Sequence, residues 1–113
     1  MKKNCILTTD FEKIDLRVGT IIKAEKFEKV RNPSYKLWID FGDLGIKKSS
    51  AQITVLYTIP EIIGKQIIAV VNFEPKQIAD FMSEVLVLGT LGANKEVTLL
   101  TTDKIAQNGQ SIG

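Results

Sequence analysis

Apolar and polar residues alternate along much of this chain with the two-residue period of half-buried strands. The run Leu16 to Phe27, "LRVGTIIKAEKF", predicts a long first strand. Simple alternation places Val18, Thr20, Ile22 and Ala24 on one face, and Arg17, Ile21, Lys23 and Glu25 on the other. Gly19 inside it is expected to mark a bulge or sharp bend. Tyr35 to Phe41, "YKLWIDF", predicts a second strand, with Leu37, Ile39 and Phe41 opposite Lys36, Trp38 and Asp40. Val30 to Ser34 is a loop signalled by Asn32-Pro33. "GDLG", Gly42 to Gly45, turns the chain into a third strand, Ile46 to Val55. Ile67 to Phe73 and Glu84 to Leu88 are nearly continuous apolar runs rich in β-branched residues, and read as buried strands four and five. Val97 to Thr101 reads as a sixth, terminal strand. Helical signals are short. Thr9 to Ile14 has Thr9 and Glu12 at capping-box spacing, and Thr58 to Ile63 has Thr58, Pro60, Glu61 and a following Gly64 in the positions of a cap, first turn and stop.

The order is strand, strand, strand, helix, strand, strand. With a long first strand carrying a glycine, this predicts an all-β fold: a five-stranded Greek-key OB-fold barrel, a short helix between strands three and four, and short terminal extensions. A ubiquitin-like or other α+β roll is the competing arrangement, but its main helix would come earlier and run longer. Residues 1–113 fit a single domain with one modest core.

The third strand departs from the rest. "KKSSAQIT", Lys47 to Thr54, offers nothing large and apolar before Ile53. Its odd positions from Ala51 on (Ala51, Ile53, Val55) are expected to face the core. Lys48, Ser50, Gln52 and Thr54 form an outer face of cation, hydroxyl and amide. Such a face suits phosphates and base edges, the backbone of an extended peptide, or plain water.

Composition narrows the chemistry. An apolar fraction of 44% and a charged fraction of 25% are those of an ordinary globular protein. With no histidine and one cysteine, Cys5, histidine-based triads, histidine-ligated zinc and an internal disulfide are excluded. No carboxylate pair or glycine-rich phosphate loop stands out, so neither enzyme activity nor a cofactor nor a metal is expected. The longest apolar run, Ile67 to Val71, falls far short of a bilayer span, and "MKKNCIL" lacks the apolar stretch of a secretory signal. A cytoplasmic protein without membrane insertion is expected. The net charge of +2 does not suit indiscriminate coating of nucleic acid, so RNA contacts would be few and confined to one face.

"FEKIDLRVGTIIKAE" (11–25), "YKLWIDFG" (35–42), "IKKSSAQIT" (46–54), "IIGKQIIAVVNFEPKQIADFMSEVLVLG" (62–89) and "NGQSI" (108–112) resemble the tRNA-binding-domain family of OB-folds. The likeness is greatest to its small free-standing branch, the chaperone-like CsaA proteins. It covers nearly the whole chain. The resemblance implies an OB-fold subunit in a homodimer. Members of the family bind tRNA by its shape, and the CsaA branch is an export-related chaperone for unfolded or precursor polypeptides. Where the broader family often has Ser-x-Gly-Met, this chain has Ser83-Glu84-Val85-Leu86, which fits the CsaA branch.

Candidate peptide- or RNA-binding residues are Lys47, Lys48, Ser50 and Gln52 on the third strand. Asn72, Lys76 and Gln77 in "NFEPKQ", and Ser83, complete the set. Lys76 is the first choice for a phosphate contact. Asn72 and Gln77 suit a base edge or an amide, and equally a turn built around Pro75. Phe81 and Met82 suit a soft apolar patch or core packing. Trp38, outward on the second strand, suits stacking on a base or anchoring a dimer.

Overall fold

β1 (Leu16–Phe27) is long enough to serve both sides of a barrel. A computed structural model describes all 113 residues. From Thr20 onward β1 pairs antiparallel with β2 (Ser34–Asp40), and through Leu16–Thr20 with β4 (Gln66–Val70). β3 (Ile46–Ala51) pairs with β2, and β7 (Leu86–Val87) with β4. The sheet order is therefore β3-β2-β1-β4-β7. It curls until β3 meets the approach to β7. There the Lys48 carbonyl accepts the Glu84 amide at 2.7 Å, and the Lys48 amide donates to Glu84 Oε1 at 3.0 Å. These bonds close an all-β barrel of the OB type.

Inward residues from β1, β2 and β4 fill it: Ile21, Leu37, Ile39, Ile67 and Ala69, joined by Phe41, Ile53, Ile62 and Val85 from the connections. α2 (Ile59–Ile62) plugs one end through Ile62, and its Thr58 amide donates to Glu61 as the spacing predicts. α1 (Thr8–Glu12) begins one residue earlier than expected. Its cap joins Asp10 to the Leu7 amide at 3.0 Å, not Glu12 to Thr9.

The face assignment of β1 needs correction. A register shift between Ile21 and Lys23 sets Ile22 outside the ladder, 44% exposed, while Ile21 enters the core. Inward parity thus changes midway along the strand, which simple alternation misses. The bulge is not at Gly19. That glycine lies where an added Cβ would sit 2.6 Å from Ile39 Cγ2 and 2.7 Å from Phe41 Cε1, so its role is close packing.

β3 stops at Ala51, short of the expected Val55, because β2 begins at Ser34 and its Tyr35 already pairs with Ala51. Past Ser34, which comes opposite Gln52, β2 has no partner backbone for Ile53 to Val55. Ile53 is buried as expected, but Val55 is 61% exposed. Ser49 is fully buried, and its hydroxyl donates to the Val85 carbonyl at 2.9 Å.

The expected fourth strand ends at Val70, and Phe73 is exposed. Val97–Thr101 makes a single bridge, Gly89 to Leu99, in place of a strand. The missing ladder comes from the C-terminal residues. The Val18 and Ile112 amides donate to Gln110 and Leu16, and the Gly109 amide to Val18. This segment occupies the edge of β1 that β2 leaves free. Arg17 clamps it, donating to the Gly109 carbonyl at 2.9 Å while paired to Asp15. Donation to the Asp15 carboxylate, more than that carboxylate's charge, raises the Arg17 pKa.

Alternation also missed a hairpin: β5 (Lys76–Ile78) and β6 (Phe81–Ser83). Its turn contains Ala79 at φ 53°, a left-handed conformation normally signalled by glycine or asparagine.

Candidate functional site

The β5–β6 hairpin lies against β3, and this contact assembles the site. The Ser83 hydroxyl accepts the Ser50 amide at 3.0 Å. Together with the Lys48 to Glu84 bonds, it occupies the β3 edge where an added strand would dock. What stays accessible is a groove of about 470 Å³ between the hairpin and the barrel. Ser50, Lys76 and Ser83 line it beside Phe73, Ile78 and Leu86. Phe73 and Leu86 are 57% and 49% exposed, so the groove offers apolar surface next to hydroxyls and an ammonium.

The candidate residues do not all meet there. Lys48 does not line the groove; its Nζ lies 5.2 Å from the Phe81 ring centroid. Lys47 pairs with the core residue Ile39 and is half-buried. Gln52 lies exposed beyond the end of β3. Gln77 is exposed and donates to the Ala79 carbonyl within its own hairpin. Asn72 stands apart. Its side-chain carbonyl accepts the Asp15 amide at 2.9 Å and its side-chain amide donates to the Lys13 carbonyl at 2.8 Å, so both polar groups tie the α1–β1 connection to the segment after β4.

A second feature occupies the outer face of β1 to β3. Trp38 and Phe27 each meet the Phe81 ring edge to face, at centroid separations of 5.7 and 5.6 Å. Lys23 lies 4.5 Å over Trp38, and Lys36 lies 5.0 Å over Phe27 and 5.5 Å over Phe81. Lys23 pairs with Glu25 at 3.4 Å, whereas neither Lys36 nor Lys48 has a carboxylate partner. Phe27 and Phe81 are buried and Met82 is exposed, so the Phe-Met pair is divided between packing and surface. Lys29 and Asp80 pin the hairpin turn at 2.7 Å. The Lys29 hydrogen bond, outweighing an opposing desolvation and helped by the Lys29 charge, holds the Asp80 carboxyl below its ordinary pKa.

Lys23, Lys36 and Phe27 were absent from the expected site. Lys36 shares Trp38's outward parity and was discoverable on that ground. The role of Phe81 depends on a hairpin that the sequence pattern does not announce.

A barrel of this strand order, carrying a polar β3 and a cationic outer face, is a small OB-type domain. The family described as "Putative tRNA binding domain" matches residues 16–111, and the chain belongs to it. The chain is CsaA-like within that family. It is 48% identical to the chaperone CsaA of Bacillus anthracis, covering 97% of this chain and all of that one, with a TM-score of 0.93. It is 53% identical to the CsaA chaperone protein of Picrophilus torridus, covering 96% of this chain and 100% of that one, with a TM-score of 0.91. It is also 31% identical over 103 residues to the methionine–tRNA ligase of Bdellovibrio bacteriovorus. That match takes in 91% of this chain and 15% of the enzyme. The chain thus spans about 15% of the length of the curated relatives it matches. No helix is long and apolar enough to cross a membrane.

Proposed function

We propose that this protein is a homodimeric, export-related chaperone of the CsaA kind, holding unfolded or precursor polypeptides in the cytoplasm and catalysing no reaction. The observation that carries this reading is the groove beside the hairpin. Phe73, Ile78 and Leu86 supply apolar wall, while Ser50, Ser83 and Lys76 supply hydrogen-bonding groups to one side. An extended polypeptide buries alternate apolar side chains in such a groove and offers its main chain to the polar groups. Because the β3 edge is already bonded to residues 83–85, recognition runs through side chains, which accommodates varied sequences. The likeness to two CsaA chaperones supports the same reading. Dimerisation is supported by the apolar N-terminal segment, where Ile6, Leu7, Phe11 and Ile14 are all at least 43% exposed.

The test is suppression of aggregation of a chemically denatured protein, measured by light scattering. Wild type is expected to suppress it, and a Phe73→Ser, Leu86→Ser variant to fail while remaining folded. A variant that protects as well as wild type sinks the groove.

A second reading, binding of structured RNA such as tRNA, is favoured by the lysines. Lys47, Lys48 and Lys76 would neutralise phosphates, joined by Lys23 and Lys36 on the same side of the barrel as Lys48. RNA held through several phosphates weakens steeply with salt, whereas polypeptide binding does not. A mobility-shift titration of bulk tRNA at low and high salt separates the two readings. No binding at low salt ends the second.

A further inference from the structure

Lys23, Trp38 and Lys48 are register partners in one row across β1, β2 and β3. Glu25, Lys36 and Ser50 form the adjacent row. Neighbouring strands lie about 4.8 Å apart, so an indole is framed on both sides by ammonium-bearing chains, with Lys36 two residues before it on the same strand. Lys36 and Lys48 rest against aromatic rings, not carboxylates. Between these cations the hairpin delivers Phe81, packed edge to face on Trp38 and only 6% exposed. An aromatic ring held edge-on against Trp38 with cations around it marks the space that an unpaired nucleobase, turned to stack on the indole, and its phosphates would take.

We propose that the outer face of β1–β3 is a binding site for an unpaired nucleotide of an RNA chain, and that Phe81 is an intramolecular plug standing in the place of the base. The β5–β6 hairpin must lift for the site to fill. Beyond the Ser83–Ser50 bond at its base, the packing of Phe81 and the exposed Lys29–Asp80 pair hold it, while each strand has only three residues and Ala79 at its turn adopts φ 53°. Local elements with few anchors open well below the global unfolding free energy. Charge favours RNA as the occupant. Lys23, Lys36 and Lys48 face the slot, and Glu25 is the carboxylate sharing their two rows. The inference rests on the RNA reading above and adds the form of RNA and the residue that gates it.

Trp38 is the sole tryptophan, so its fluorescence reports the slot directly. The probes are a short oligouridylate, an abasic chain of equal length, a glutamate peptide of equal charge, and bulk tRNA. Phe81→Ala removes the plug and is expected to tighten oligouridylate binding about ten-fold, since affinity scales with the open fraction. Ala79→Gly relieves the left-handed strain, holds the hairpin closed, and is expected to weaken binding by about two- to four-fold. It leaves every slot residue in place. The abasic chain is expected to bind at least about five-fold more weakly for want of stacking. Both variants within about two-fold of wild type would overturn the plug while leaving RNA binding intact. An abasic chain or glutamate peptide binding as well as oligouridylate overturns the nucleobase assignment. Wild type and Phe81→Ala both silent towards oligouridylate and tRNA overturn the RNA reading and the plug with it.

Discussion

The Ser83 hydroxyl stands 3.0 Å from the Ser50 amide and takes the hydrogen bond that a neighbouring strand would otherwise accept. One side chain from the hairpin thereby terminates the sheet edge and forms the floor of the groove. Ser83→Ala leaves that partly buried amide without a protein partner, a loss of about 1–2 kcal/mol. Urea denaturation is expected to show a lowered midpoint with an unchanged slope. If the hairpin instead detaches, amide exchange in residues 76–83 rises while the barrel core stays protected.

Gly19 gives a sharper stability test. Its position beneath Ile39 and Phe41 leaves no room for a methyl group, and both neighbours are fully buried. Gly19→Ala is expected to destabilise by about 1–3 kcal/mol through overpacking. A midpoint equal to wild type would mean that β1 shifts freely there, which its pairing to β4 through Gly19 and Ile67 argues against.

The Lys29–Asp80 pair defines a pH window for the hairpin. Asp80 is held below its ordinary value of 3.8, so its contribution is present above that value and lost as pH falls through the lowered folded pKa. Lys29 is raised above 10.5 by the same hydrogen bond, so its contribution is complete below 10.5 and lost as pH rises through the raised folded pKa. Protection of the Ile78 and Phe81 amides, followed by NMR, is expected to be flat between these limits and to fall outside them. In Asp80→Asn the acid limb disappears. An acid limb that survives in that variant would assign it to another carboxylate.

Much of the barrel was legible because its signals are local. β1 was readable to both ends, β2 within a residue, and α2 through Thr58, Glu61 and Gly64. Three of the misreadings share one cause: partners distant in sequence. β3 ends where β2 has no more backbone to offer, the Ile22 bulge depends on how β1 changes partners, and the last ladder uses residues 109–112. Within the site, Ser50, Lys76 and Ser83 were legible as polar residues on or beside strands. Their convergence was not, because it depends on a hairpin whose turn has alanine and aspartate in place of the usual glycine. Asn72 shows the converse. An amide beside a predicted rim looks available, yet its two bonds to residues 13 and 15 occupy it.

The apolar N-terminal segment offers the last prediction. Leu7 and Phe11 are 70% and 43% exposed, and with Ile6 and Ile14 they line an open groove of about 920 Å³ completed by Ser111 to Gly113. Neither is part of the core, so a charge at either position should leave the barrel folded. In a homodimer built on this surface, burying an unpaired carboxylate opposes association strongly. Leu7→Asp combined with Phe11→Asp is therefore expected to convert the proposed homodimer to a species at the chain mass of 12.6 kDa, with an unchanged far-UV spectrum. Multi-angle light scattering reads the mass directly. A double variant that stays at twice the chain mass would move the dimer interface away from the N-terminal segment. The next surface to test would then be the exposed Leu91 and Ile105.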